Sequence, residues 1–222
     1  MARNPLGAAR HPIKSEAELL AHDDAIDRAV CGMSLVCREE TILADQGAHD
    51  PTPTPYFVLQ GLFERFPFSK RSHLLDVGCS TGRVLAHFLR EGYPGQATGI
   101  ELDPELAAVA QSWTAGHAKL QVIQGSVLDL DLSPFTCFYL FNPFDSPILQ
   151  QLIKRIEEQA VQPVTVVHMS DNGETWWYLG RPGWSELDSG SFQYYMNERG
   201  YPVCVYENPQ HWTAWSFNPA LV

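Results

Sequence analysis

The stretch His73-Leu74-Leu75-Asp76-Val77-Gly78-Cys79-Ser80-Thr81-Gly82-Arg83-Val84-Leu85 sets a short β-forming run against a glycine-bearing turn and the first apolar positions of a helix. Strand, tight turn and helix in that order place the turn at the carboxyl end of a strand, where open α/β sheets bind ligands. Gly78 and Gly82 let the backbone approach a ligand or take positive φ, and the helix that follows offers free N–H groups.

Outward from this turn the pattern alternates. Strands are predicted at His73–Val77, 97–101, 120–123, 136–141 and 164–169, each a short β-rich run between turn signals. A helix over 83–91 carries Val84, Leu85, Phe88 and Leu89 on one face and stops at Gly92. Asp103-Pro104 caps and opens the next, and Ser146-Pro147 repeats that arrangement ahead of Ile148, Leu149, Leu152, Ile153 and Ile156. The expected fold is therefore α/β: a doubly wound, mostly parallel sheet, because right-handed crossovers return helices over both faces.

On the amino-terminal side, Ser15-Glu16-Ala17-Glu18 reads as a capping box for a helix to about Val30. Prolines at 51, 53 and 55 then force an extended linker or lid before a helix over Tyr56–Phe66. Residues 203–207 and 212–217, separated by Asn208-Pro209-Gln210-His211, suggest a carboxyl-terminal antiparallel hairpin. The division expected is an N-terminal helical cap or lid over 1–55 and one sheet domain over 56–222.

Spacing separates the nucleotide-binding readings. A GxGxxG fingerprint from Gly78 would need glycine where Ser80 and Arg83 stand, and GxxxxGK[ST] fails because no lysine follows Gly82. What remains is D-x-G-x-x-x-G with an acid, Glu101, 19 residues after Gly82 at the end of the next strand. This resembles the first two motifs of class I S-adenosylmethionine (SAM)-dependent methyltransferases. The resemblance implies a Rossmann-like seven-stranded sheet and SAM as cofactor, with S-adenosyl-L-homocysteine as its product. It also implies that Asp76, Gly78, Cys79, Ser80 and Gly82 lie around the amino acid end, and that Glu101, followed by Leu102, accepts the ribose hydroxyls. A carboxylate can accept two hydrogen bonds from a vicinal diol, and SAM has no pyrophosphate demanding a basic cradle.

The third family position is altered: Gln124-Gly125-Ser126-Val127-Leu128-Asp129 has Ser126 where the family commonly has an adenine-binding Asp. Ser126 and the Val127 amide are the expected adenine contacts, with Asp129 as a substitute. Asn142-Pro143-Phe144, closing the fourth strand, resembles the Asn-Pro-Pro-Tyr type motif of amine and amide N-methyltransferases and the Asn-Pro-Phe of bacterial relatives. By that resemblance Asn142 orients a nitrogen acceptor beside SAM and Phe144 shields it, with oxygen the second choice of acceptor. The same Asn142-Pro143 could simply form the turn into the next helix. Tyr56, after the proline run, is the candidate lid residue over the cofactor, or a buried aromatic at a helix start. Trp176, Trp177, Tyr178, Trp184, Tyr194 and Tyr195 could line a substrate pocket, with packing favoured. A SAM-binding module without catalysis is the alternative function.

Composition narrows the rest. Hydrophobic content of 45% over 222 residues supports a full core, and no apolar run reaches membrane-span length. The start, MARNPLGAARHPIK, lacks the apolar segment of a signal peptide, which makes the cytoplasm the expected location. Five scattered cysteines and eight dispersed histidines show no metal-ligand spacing, so no metal is expected. A net charge of −11 argues against nucleic acid and for a small-molecule or protein acceptor, with no membrane partner.

Overall fold

The computed structural model describes residues 12–37, 40–170 and 172–222. Most of the leader reading, residues 1–11, lies outside them, as does Asp171. Helix α1 (Glu16–Cys31) is followed by an extended strap, α2 (Tyr56–Phe63), and then by β1 (His73–Val77), α3 (Arg83–Arg90), β2 (Gln96–Glu101), α4 (Pro104–Thr114) and β3 (Leu120–Gln124). Next come β4 (Cys137–Phe141), α5 (Ser146–Gln159), β5 (Val164–Ser170), β6 (Trp184–Phe192), β7 (Tyr194–Met196), β8 (Pro202–Cys204) and β9 (Gln210–Phe217). The main sheet has seven strands in the order β3-β2-β1-β4-β5-β9-β6. β3 to β5 are parallel neighbours, and β9 enters antiparallel between β5 and β6. The doubly wound, mostly parallel sheet is thus as the alternation of strands and helices implied, and its seven strands are as the family resemblance implied.

The sheet's core alternates residue by residue, as a strand buried on both faces requires. Leu74, Tyr139, Val167 and Met169 face one side with Leu59, Leu62, Phe63, Leu85 and Phe88 of the helices. Leu75, Phe138, Leu140 and Val166 face the other with Leu152, Ile153 and Ile156 of α5. Order reverses between β1 and β4, which leaves a crevice at the carboxyl ends of both strands.

Three local expectations need correction. Residues 203–207 do not pair with β9; β8 pairs with β7 in a separate two-stranded ribbon, and the antiparallel partner of β9 is β6. β6, WSELDSGSF, is a mostly exposed edge strand, and its charged, serine-rich sequence protects an open edge but hides the strand from a hydrophobic pattern. The N-cap of α5 is Asp145, not Ser146, and its side chain makes no capping bond because it reaches His49 instead. At α1, Ser15 caps as expected, accepting from the Glu18 amide at 3.2 Å, while Glu18 returns to the Lys14 amide, one residue earlier than in a closed capping box.

The aromatic tail packs rather than lining the crevice. Tyr178 stacks on Trp215 at 5.6 Å and lies 4.9 Å from Trp184, while Trp176 and Trp177 stay partly exposed. Arg181 forms a two-pronged pair with Glu157, both bonds 2.7 Å, which ties this corner to α5. Among the described residues no helix is long and apolar enough to cross a membrane.

Candidate cofactor and acceptor site

The crevice is a cavity of about 350 Å³, floored by the ends of β1, β2 and β4 and roofed by residues 41–54. Its shape follows from the turn after β1. The amides of Gly78 and Cys79 both donate to the Ile100 carbonyl, at 2.9 and 3.0 Å, and the Gly82 amide closes on the Cys79 carbonyl at 2.8 Å. Gly78 and Gly82 have φ of 74° and 96°, and a Cβ on them would lie 2.8 Å from Pro143 Cβ and 2.9 Å from Trp113 Cζ2. Both positions therefore require glycine for conformation and for space. Trp113 pins the turn further by donating to the Thr81 carbonyl at 2.9 Å.

Glu101 is buried and gripped at both oxygens: the Ser80 amide donates to Oε2 at 2.7 Å and the Asp103 amide to Oε1 at 2.9 Å. Each oxygen keeps a further lone pair, so the carboxylate is pre-oriented for two more donors. Burial still pushes its pKa up. Asp76 lies deeper; burial, with Glu101 adding repulsion, holds its carboxyl well above the usual range. Asp76 Oδ2 and Ser80 Oγ are buried with no hydrogen-bond partner among the described residues. Such orphaned acceptors are costly unless a ligand supplies donors.

Asp76, Gly78, Cys79, Ser80, Glu101, Leu102, Ser126, Val127, Asn142 and Phe144 all line this one cavity. Gly82 shapes the turn from behind, against Trp113, and is not itself a lining residue. Ser126 Oγ accepts from the Leu128 amide at 3.2 Å and caps a short 3-10 turn that buries Val127; Asp129 in that turn points to solvent and lines nothing. Tyr56 is not over the cavity. It is buried, its hydroxyl donating to Asp27 at 2.8 Å, because the proline strap ends in a helix whose first turn faces α1 and α3. The roof is formed by the strap itself, with Thr54 bonded to the Tyr139 hydroxyl at 3.0 Å.

Among the described residues two non-glycine residues have positive φ, Ser80 at 48° and Asn142 at 44°, and both line the cavity. Strain of this kind persists where the surroundings over-determine it. Asn142 is held by its amide on the Met169 carbonyl at 2.9 Å and by Ser170 Oγ donating to its side-chain oxygen at 3.3 Å.

Sequence reasoning missed the ion pair beneath the turn. Arg83, first residue of α3, donates to Asp27 Oδ2 at 2.6 Å and to Oδ1 at 3.1 Å, with both residues buried. The apolar 3.6-residue pattern of α3 left Arg83 looking like a surface residue; two acids four apart in α1, Asp23 and Asp27, were the available signal.

Residues 74–161 match the family described as "Methyltransferase domain". That segment is similar to methyltransferase domains. SAM is the cofactor of such domains, and the residues present fit it: unpartnered oxygens at Asp76 and Ser80 for an ammonium, and a gripped carboxylate at Glu101 for a diol. The domain's sheet is similar to a Salinibacter ruber RNA methyltransferase solved with S-adenosyl-L-homocysteine: TM-score 0.53 and 21% identity over 75% of this chain and 94% of that one. A "Probable ribosomal RNA small subunit methyltransferase A" of Methanococcoides burtonii is 31% identical over 43% of this chain. A "Protein-lysine N-methyltransferase" of Saccharolobus islandicus is 25% identical over 46% of it. The chain spans 36% of the length of the first of these relatives and 68% of the second. With RNA and lysine enzymes both present, these likenesses give no support to the exclusion of nucleic acid that net charge suggested.

Proposed function

We propose that the protein is a SAM-dependent methyltransferase acting on nitrogen of a small molecule or a protein side chain. The observation that supports it most is one cavity holding a buried, unpartnered Asp76 oxygen, a doubly gripped Glu101 and the strained Asn142. When bound, SAM supplies a methyl group already activated on a sulfonium, so the protein's task is alignment rather than strong base catalysis.

Each residue then has a role. Asp76 and Ser80 receive the ammonium of the donor's amino acid end, Glu101 the ribose hydroxyls, and Val127 flanks the adenine with Ser126. Asn142 offers its side-chain oxygen to an acceptor N–H, and Phe144 excludes water beside it. Acidic surroundings favour an amine: Asp50, Asp76, Glu101 and Asp103 line the cavity, and Arg83, its sole Lys or Arg among the described residues, is engaged by Asp27. Phosphate would find no free cation there.

The test is transfer of labelled methyl from SAM into pooled amines, cell protein and ribosomal RNA, in wild type and Asn142→Gly. Label in the amine or protein pool that the variant loses supports the reading. Label in RNA alone overturns the acceptor class, and donor binding without transfer to any pool leaves a binding module.

A further inference from the structure

The strap over 41–54 is fastened to the Asn142–Asp145 loop by a set of bonds that the methyl-transfer reading does not use. Ala48 and Phe144 form an antiparallel bridge, the His49 amide donates to the Pro143 carbonyl at 3.1 Å, and the Asp145 amide donates to the Gly47 carbonyl at 3.0 Å. Gly47, at φ 79°, lets the strap come so close to α5 that a Cβ would lie 2.8 Å from Ile148 Cδ1. The His49 ring completes the fastening: Nδ1 lies 2.9 Å from the Asn142 carbonyl oxygen and Nε2 lies 3.1 Å from Asp145 Oδ1.

A carbonyl and a carboxylate are both acceptors, so both ring nitrogens must donate, and only the imidazolium has two N–H groups. We infer that protonated His49 is a positioning residue of the site, latching the strap closed over the donor cavity while holding the main chain of strained Asn142 in place. This rests on the reading of the cavity as the donor site. The titratable group in contact with the ring is Asp145, and Asp50, Asp76, Glu101, Asp103 and Arg83 line the same cavity. Asp50 is turned to the Thr41 amide at 2.8 Å, and Arg83 is held by Asp27, so neither competes for the latch.

The closed strap is favoured while the ring carries both N–H groups and is released when one of them is lost. Hydrogen exchange of peptides covering 41–54 and 142–148, corrected for intrinsic rates, reads the latch directly in the full chain at about pH 5 and about pH 8, the two ends of the range in which imidazole side chains in general act as switches. Wild type should exchange at least about tenfold faster at the upper end, His49→Ala should be fast at both, and His49→Gln, which cannot be charged, should lose the pH dependence. Gly47→Ala, whose Cβ would meet Ile148 Cδ1 at 2.8 Å and the Asp145 carboxylate at 3.3 Å, should also exchange faster at low pH. In parallel, release of S-adenosylhomocysteine should quicken in His49→Ala. A pH dependence retained by His49→Gln, or unaltered exchange in His49→Ala, overturns the latch. Absence of S-adenosylhomocysteine binding in wild type would instead sink the donor site, leaving the exchange result to stand alone.

Discussion

Replacing Asp27 by alanine should release the helix that braces the glycine turn from behind. Asp27 is completely buried and accepts from Arg83 at 2.6 and 3.1 Å, from the Tyr56 hydroxyl at 2.8 Å and from the Leu35 amide at 3.2 Å. Alanine leaves a buried guanidinium whose next carboxylate, Asp23, is 4.0 Å away, together with two unpaired donors. Breaking a buried pair from one side costs about 3–5 kcal/mol, and Asp23 should hold the loss toward the lower half, about 3–4 kcal/mol. With a urea slope of about 3 kcal/mol per molar, the unfolding midpoint should fall by about 1 M, out of a typical total stability of 5–15 kcal/mol. Equilibrium urea unfolding followed by tryptophan fluorescence measures this. The decisive comparison is the double variant Asp27→Ala/Arg83→Met, which removes the stranded charge and should recover part of the loss. A midpoint shift under about 0.3 M, or a double variant no more stable than the single, would refute the argument from an uncompensated buried charge.

Other outcomes follow from the same geometry. Asp76 keeps a raised pKa through burial and Glu101, so the folded protein holds a proton that the unfolded chain releases; the stability this contributes is full at low pH and is lost as pH rises through the folded-state pKa. Asp76→Asn should therefore raise the melting temperature of the ligand-free protein at neutral pH by a few degrees, about 2–4 °C per kcal/mol, while weakening S-adenosylhomocysteine binding; calorimetry of both checks it. Asn142→Gly should relieve the strain of φ 44° and keep or raise stability by about 1 kcal/mol, leave donor binding intact and abolish methyl transfer, as thermal unfolding, titration and a labelled-methyl assay would show. Gly82→Ala should drive a Cβ to 2.9 Å from Trp113 and cost about 1–3 kcal/mol of stability with loss of donor binding.

The parts of this molecule that were legible in its sequence are those whose physics is local. The β1–α3 turn announces itself because tight turns need glycine at fixed offsets, and Glu101 was found through the family resemblance, as the acid that ends the next strand. The strap at 51–55 was readable as extended from its prolines alone, but not its fastening: His49 meets Asn142 and Asp145 across more than ninety positions. β6 escaped notice because an edge strand with one exposed side has no hydrophobic run, and without β6 the nearest segment, 203–207, looked like the partner of β9. Of the two readings of Tyr56, lid residue or buried aromatic at a helix start, the structure takes the second. Proximity in sequence to the lid said nothing about which way the first turn of α2 faces, and that is set by Asp23 and Asp27 on a helix about thirty residues earlier.

The central claim is that Asp76 and Glu101 build a SAM-binding floor, and calorimetric titration of S-adenosyl-L-homocysteine into wild type and Glu101→Ala tests it most directly. The account predicts binding to wild type at about micromolar strength and a loss of about a hundredfold or more in the variant, since two hydrogen bonds to a charged acceptor vanish and the Ser80 amide loses its anchor. Equal binding by both proteins would remove Glu101 from the site, and no binding by wild type would contradict the account.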